Sequence, residues 1–531
     1  MESPYAGKAG SSIDSVESAN QMVAAIDIGA NSVRMAIAQV EPDGRTQILE
    51  RFQRAVRLGQ DAYCRGRLGS QSMRAAVAII RDYAQRLRFY DVRRVRAVAT
   101  SAAREASNAD TLLDRIFMAT GLHVEVIEAS EESRLIVSAV LTALADVPEA
   151  ATGRTLIADV GGGGTLLTAL DKGEIINSQS LRLGSIRLQE LLSTSEETPK
   201  RRAELYRQQI VKETLFAQRD LSLRTIDQFV AVGGDARFAA QQIGRQIGQP
   251  SPSGSISTIE PKPFDELVAR CEKMSDERLS THYGITFAEA ETLNPALLIY
   301  QILWKRTQAK TMIVSNVSMR DGLLMELARE ATGQEDHALY QSVVQSALSL
   351  AQKYQCDLEH AVTVADLSVR LFDELQADHG LGSRYRLLLR VAGILHEIGG
   401  FVSNRAHHKH SFYLIGNSEV FGLSQDELLI VAHVARYHRR SPPKPEHLEY
   451  AGLPRQTRVI INKLAALLRV ADALARGHVR QAKDLQMERV GDDLVVYVPT
   501  GEDFFLEQRA MVVKGNLFEE IYGLGVRLEP M

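Results

Sequence analysis

A single tryptophan, three cysteines and 6% aromatic residues are all that 531 positions provide. Cys64, Cys271 and Cys356 are odd in number and far apart, so they suit neither a disulfide framework nor a CxxC metal knuckle. They point to a reducing compartment, the cytoplasm. No apolar run reaches the ~18 residues that span a bilayer. LLLRVAGILHEIGGF comes nearest, and it contains His396 and Glu397 and stops at Gly399 and Gly400. The first twenty residues lack the basic start and apolar stretch of a secretory signal and read as a disordered tail. An excess of charge is missing too: 62 Lys and Arg face 66 Asp and Glu, a net charge of -4, which excludes a polycation that coats nucleic acid. Neither a membrane nor a nucleic acid is an expected partner. What is there is 45% apolar and 24% charged residues, enough for two to four domain cores.

Residues 21–137 alternate apolar strands (MVAAIDI, RRVRAVAT, HVEVIE) with helical stretches (SMRAAVAIIRDYAQRL, ADTLLDRIFMAT), the pattern of an α/β unit. A second unit, 138–330, opens with TLIADV, returns with FVAVGGD and ends with TMIVSNVSMRDGLLMELARE. A Pro- and Ser-rich loop is expected at 250–263. From 331 to 480 the periodicity becomes that of long amphipathic helices without strands, an all-α domain. Residues 481–531 read as a small α/β module with strands at LVVYVP and RAMVVK and a helix at LFEEIYG.

One internal repeat stands out. MVAAIDIGANSVRMAIAQV and TLIADVGGGGTLLTAL each run strand, Asp-x-Gly, small-residue turn, strand. Glycines that take positive φ would gather backbone N–H groups into a nest for phosphate. Asp27 and Asp159, at the strand ends, are candidate Mg²⁺ ligands, since Mg²⁺ takes one or two carboxylates plus phosphate oxygens. Two such hairpins facing each other make a phosphate jaw. Gly233 and Gly234 after FVAV offer a third backbone approach, and a plain strand-ending turn explains them as well.

The arrangement resembles the actin-like (ribonuclease H-like) superfamily, in which duplicated hairpins clasp phosphates between two lobes. Asp27-Ile28-Gly29-Ala30-Asn31-Ser32, Ala99-Thr100-Ser101-Ala102-Ala103-Arg104, Ala129-Ser130-Glu131-Glu132-Ser133-Arg134-Leu135 and Asp159-Val160-Gly161-Gly162-Gly163-Gly164-Thr165, in that order, resemble the Ppx/GppA family of exopolyphosphatases and pppGpp phosphohydrolases. The resemblance implies Glu132 as catalytic base and Arg104 as phosphate-contacting arginine. It further implies phosphate binding by Asn31, Ser32, Thr100, Ser101 and Gly161, Gly162, Gly163 and Gly164. Read without it, Glu131 and Glu132 are a pair of first-turn acids complementing a helix dipole, and Arg104 a solvated charge. The implied cofactor is Mg²⁺ or Mn²⁺, with K⁺ as a candidate accessory ion. Where the family continues Ser/Thr-Thr-Glu, this chain has Gly164-Thr165-Leu166. The missing carboxylate implies slow hydrolysis, a different metal shell, or a binding protein without turnover.

Seven of the thirteen histidines lie between His396 and His447. Asp472 falls on the apolar face of KLAALLRVADALAR, where a carboxylate must be paired, hydrogen-bonded or on a metal. This pattern resembles the HD superfamily of metal-dependent phosphohydrolases, and the HD-like third domain of long exopolyphosphatases, including the run HHKHSFYLI. The usual His-Asp pair is His396-Glu397 here. His360, His396, Glu397 and Asp472 are the candidate ligands, and a set that merely hydrogen-bond one another is the competing reading. Arg436, Arg439, Arg440 and Lys444 form a basic group beside them that suits a polyanion or simply solvent.

The leading expectation is a Mg²⁺-dependent exopolyphosphatase acting on inorganic polyphosphate, with pppGpp 5'-phosphohydrolase as the close alternative and ppGpp or pppGpp as candidate ligands. A polyphosphate or alarmone sensor, and a kinase that transfers phosphate to ADP, are the readings from other classes. The resemblance also implies a homodimer.

Overall fold

The computed structural model describes residues 21–145, 153–192, 197–248, 255–332, 337–439, 441–476, 485–498 and 504–531. The expected tail at 1–20 and Arg440 lie outside them. Strands β1 (Gln21–Ile28), β2 (Ser32–Val40), β3 (Thr46–Ala55), β4 (Arg94–Ala99) and β5 (Val124–Val126) form one sheet in the order β3-β2-β1-β4-β5. Strands β6 (Arg154–Val160), β7 (Thr165–Asp171), β8 (Glu174–Leu181), β9 (Gln228–Val232), β10 (Ile256–Ile259) and β11 (Met312–Ser315) form a second, β10-β11-β9-β6-β7-β8. Read from its far edge, the second sheet repeats the first and adds an antiparallel strand, β10, at the end. The chain therefore has a duplicated α/β core of actin-like architecture.

The central strands are apolar on both faces because helices cover both. Ile26, Ile28, Leu156 and Ala158 are all fully buried or nearly so, whereas the edge strand β3 alternates half-buried and exposed residues. The register carries the repeat to single residues. Asp27 stands opposite Arg34 and beside Val98, and Asp159 stands opposite Leu166 and beside Val232.

The expected lobe boundary at 137 falls inside the helix Ala129–Leu144. That helix lies between the sheets, in a buried cluster that joins Val23 and Val98 of the first to Ile157, Leu166 and Val230 of the second. The helix Met319–Thr332 returns from the second lobe to pack on it and on β1, so the last helix of the core completes the first lobe. The expected loop at 250–263 contains, in its described part, strand β10 and the start of the helix Pro261–Cys271. Proline opens that helix without cost, because the first helical N–H has no intrahelical partner.

Beyond the core, helices His337–Lys353, Leu358–Glu374, Ser383–Leu395, His407–Gly416, Gln425–Arg436 and Arg455–Leu474 form the all-α region. Strands β12 (Gln486–Val490), β13 (Asp493–Val498) and β14 (Gly525–Pro530) make a small sheet after it. RAMVVK, expected as a strand, belongs to the helix Phe505–Lys514. Its β-branched Val512 and Val513 are exposed while Met511 is buried, so packing of one face overrides local strand propensity. Leu494, Val496, Met511, Leu517 and Phe518 share one continuous core with the helices. Among the described residues no helix is long and apolar enough to cross a membrane.

Candidate active site

The two Asp hairpins open onto one cleft of about 670 Å³ between the lobes. Each turn closes in the same way, Gly29 N–H donating to Ser32 O at 3.0 Å and Gly161 N–H to Gly164 O at 2.9 Å. The expectation of positive φ in these turns is not met: neither Gly29 nor Gly161–164 adopts it. Space, not backbone freedom, demands glycine here. A Cβ on Gly162 would stand 2.8 Å from Ile186 Cδ1, and one on Gly163 would collide with the Tyr63 hydroxyl and Ser101 Oγ. The second turn is thus pressed against the first lobe. Positive φ does occur at Gly233 (130°), where a Cβ would also meet Tyr300 Oη at 2.7 Å.

Asp27, Asn31, Ser32, Thr100, Ser101, Arg104, Glu132, Asp159, Gly161–164, Gly233 and Gly234, all singled out in the sequence, line this cleft. Asn31 does more than line it, because its Nδ2 donates to Ala288 O at 3.3 Å and ties the lobes together.

Glu132 sits in the first turn of the helix Ala129–Leu144, and its neighbours fix that turn. Ser133 Oγ lies 3.0 Å from both Thr168 Oγ1 and Ser178 Oγ, fastening the helix to β7 and β8. On the other side, Arg134 donates twice to Glu131 at 2.6–2.7 Å and also pairs with Glu326, which Arg96 holds as well. Burial alone would raise the pKa of Glu131, but Arg134 and Arg96 lower it below its ordinary value. Glu131 is therefore a structural anion and Glu132 the one that faces the cleft. Its side chain is 20% exposed, with Arg104 Nη2 3.6 Å from Oε2. Burial pushes Glu132 up to about 7, with Asp159 and Asp27 adding to the rise and Arg104 opposing it. Arg104 is no solvated charge, since Nη1 donates to Ile127 O and its side chain is only 20% exposed.

Asp27 and Asp159 differ despite their equivalent places. Asp27 Oδ2 is shared by Arg320 Nη1 at 3.3 Å and Arg34 Nη1 at 3.7 Å. Asp159 has no hydrogen-bond or ion-pair partner among the described residues, and burial raises it to about 6. Sequence reasoning missed Arg34, Arg237, Arg320 and Asp235, which line the same cleft. Burial lifts Asp235 to about 7 and lowers Arg320 to about 10. Arg34 was legible, being the residue on β2 that a hairpin register places across from Asp27. Asp235 and Arg237 follow Gly233-Gly234 directly, but Arg320 has no local signal. Leu166, 8% exposed, joins Ile136 in the apolar wall one turn from Glu132.

The candidate set in the helical region divides. His360, His396 and Asp472 come together, while exposed Glu397 groups with His407 and His438 instead. Asp472 bonds Lys514, which with the neighbouring imidazoles holds it well below the carboxylate range against the opposing effect of burial. Arg436 pairs with Glu449 at 3.4 Å and covers the Phe412 ring, so it belongs to the local packing.

Residues 36–331 match the Ppx/GppA phosphatase family and residues 344–515 its domain III. The chain is 24% identical to a guanosine-5'-triphosphate,3'-diphosphate pyrophosphatase of Aliivibrio fischeri (strain MJ11), covering 79% of this chain and 80% of that one. A protein of the same name from Vibrio parahaemolyticus is 24% identical over 84% of this chain and 86% of its own. Among solved structures, an exopolyphosphatase from Cytophaga hutchinsonii superposes with a TM-score of 0.54 at 22% identity, covering 59% of this chain and 99% of that one, a likeness of fold. With the core and the helical region both matched, and the Asp hairpins meeting in one cleft, the chain belongs to the Ppx/GppA phosphatase family.

Proposed function

We propose that this phosphoanhydride hydrolase is an exopolyphosphatase that removes the terminal phosphate of inorganic polyphosphate, with Glu132 as general base. The observation that carries the reading is Glu132 raised to about 7 beside Arg104, in a cleft lined by the two Asp hairpin turns. A base poised near neutrality takes a proton most effectively at neutral pH. Water held against Glu132 attacks the terminal phosphorus, its proton passes to the carboxylate, and the bridging P–O bond breaks to leave a chain shorter by one phosphate. Arg104, with one end of its fork fixed on Ile127, orients the phosphoryl oxygens with the other.

Six acids (Asp27, Glu105, Glu132, Asp159, Asp235, Glu289) outnumber five arginines (Arg34, Arg104, Arg182, Arg237, Arg320) along the cleft. With Glu132, Asp235 and Asp159 raised by burial to about 6–7, a divalent cation that keeps these acids ionised would also offset the charge of an entering polyanion. Asp27 and Asp159 are the carboxylates that would hold Mg²⁺ together with phosphate oxygens; with Glu132 they form no compact three-ligand group among the described residues. When bound, Mg²⁺ supplies charge neutralisation at the phosphate oxygens.

A second reading, pppGpp 5'-phosphohydrolase, is favoured by the curated relatives' names and by an apolar corner of the cleft. Phe238 and Ile285, both half-buried, offer a surface for a purine that polyphosphate does not need. Phosphate release from long-chain polyphosphate and from pppGpp with Mg²⁺ decides between them, with Glu132→Ala as control. We expect release from polyphosphate, reduced by about 10²–10⁴ in the variant. Preference for pppGpp that Phe238→Ala abolishes would favour the second reading. Binding of either ligand without release would make the chain a sensor.

A further inference from the structure

Every carbonyl of the second glycine turn is taken. Besides the Gly161–Gly164 bond that closes the turn, Gly161 O accepts the N–H of Ser185 at 3.0 Å, and Gly162 O accepts those of Ile186 and Arg187 at 3.0 and 3.1 Å. These three donors begin the helix Ser185–Leu192. Gly163 O is bonded by a side chain instead, Arg187 Nε at 2.7 Å. A trans peptide points its C=O and N–H in opposite directions. The N–H groups of Gly162, Gly163 and Gly164 are therefore turned away from the helix and from Arg187. None of the three has an acceptor among the described residues, and all three residues line the cleft. Unpaired N–H groups of a turn are ready donors to an anion. In the first turn the corresponding carbonyls, Ala30 O and Asn31 O, are held by backbone alone, from Gly59 and Val56 at 2.8 and 2.9 Å. The second turn needs one side chain more.

That side chain also crosses to the first lobe. Arg187 Nη2 bonds Glu105, and its guanidinium lies 4.2 Å from the centre of the Tyr63 ring, whose hydroxyl is 2.8 Å from Ser101 Oγ. Glu105 directly follows Arg104 in the short helix Ser101–Glu105, and Arg182 pairs with it as well, at 3.1 Å. Arg187 itself is 13% exposed and does not line the cleft. Whatever it does to a substrate, it does through its neighbours.

We propose that Arg187 is a positioning residue for the hydrolytic reaction. It fixes the Gly163–Gly164 peptide with its N–H toward bound phosphate and holds that turn in place against Ser101 and Arg104. The inference rests on the reading that phosphate occupies this turn. Phosphate oxygens take these N–H bonds in the bound substrate as well as in the transition state, so the loss of Arg187 falls on binding. A planar fork serves the carbonyl, the carboxylate and the ring face together, which the single ammonium of a lysine does not.

The test uses the full-length protein with Arg187→Met and Arg187→Lys. Binding of tripolyphosphate with Mg²⁺ is measured by calorimetry, phosphate release from the same compound by steady-state kinetics, and folding by thermal unfolding. Arg187→Met should weaken binding and raise KM on the order of 10–100-fold, with kcat changed by less than about threefold. Arg187→Lys should recover part of the affinity, and it carries the test if the methionine variant does not fold. A merely structural role would instead lower kcat and the unfolding temperature with KM unchanged. That result, binding by Arg187→Met within about twofold of the unaltered protein, or full affinity in Arg187→Lys, would overturn the proposal while leaving the cleft's function intact. No binding of tripolyphosphate by the unaltered protein would overturn the reading of the cleft, and the proposal with it.

Discussion

Glu132 and its surroundings give the residue scale its sharpest expectations. Because burial raises Glu132 from 4.5 to about 7, the proposed base is half ionised near neutrality and loses its charge below it. The kcat/KM profile should therefore rise with pH through about 7, a limb that Glu132→Gln abolishes along with most of the rate. The same shift acts on stability with the opposite sense. Between 4.5 and about 7 the folded chain holds a proton that the unfolded chain has lost, so stability falls as pH rises through that window. Glu132→Gln should stabilise the fold at pH 8 by on the order of 2–3 kcal/mol, read by denaturant titration, and the gain should vanish below 4.5. Leu166 stands opposite Asp159, so Leu166→Glu returns a carboxylate to the cleft wall. It is expected to raise the Mg²⁺-dependent rate on the order of 10-fold, the worth of ~1.4 kcal/mol in the transition state; an unchanged or lower rate would count against it. At this scale the sequence was informative where a motif flanked the residue, as for Asp27, Glu132 and Gly233. It was silent on Arg320, whose guanidinium reaches Asp27 from 293 positions away.

At the scale of elements, the helix Ala129–Leu144 is held from both sides, by Ser133 on the second sheet and by the Arg134 network on the first. Arg134 is 4% exposed. Replacing it with methionine leaves Glu131 and Glu326 buried without their shared guanidinium, and a loss of about 3–5 kcal/mol is expected in chemical unfolding. If the loss is under 1 kcal/mol, Arg96 alone carries the network. Hairpins and amphipathic helices were legible because their periodicities are local. RAMVVK was not, since its valines favour a strand and only the buried Met511 face and Phe518 beyond it make it helical. Strand β10 was hidden by the Pro and Ser around it.

At the scale of the molecule, the C-terminal sheet and helices are part of the helical region's core. Lys514 provides the only cation bonded to Asp472 among the described residues. Lys514→Met should cost about 3–5 kcal/mol by stranding that carboxylate, and Lys514→Met with Asp472→Leu should recover most of it. The change of architecture near 331 was readable from periodicity, but the sharing of cores was not, because distant residues build it. Ser130 Oγ donates to Leu423 O at 3.0 Å, and Phe421 enters the cluster between the two sheets. The helical region thus touches the turn that carries Glu132.

The matched registers of the two hairpins have one more consequence. A chain folded from two copies of one motif carries its own alignment: Asp27 with Asp159, Gly29 with Gly161, Arg34 with Leu166, each pair on the same backbone frame. Each half is a control for the other. Where the pairs agree, both copies still answer to a shared backbone geometry; where they part, as at Arg34 and Leu166, the cleft has lost its symmetry, with a charged residue on one side and an apolar one on the other.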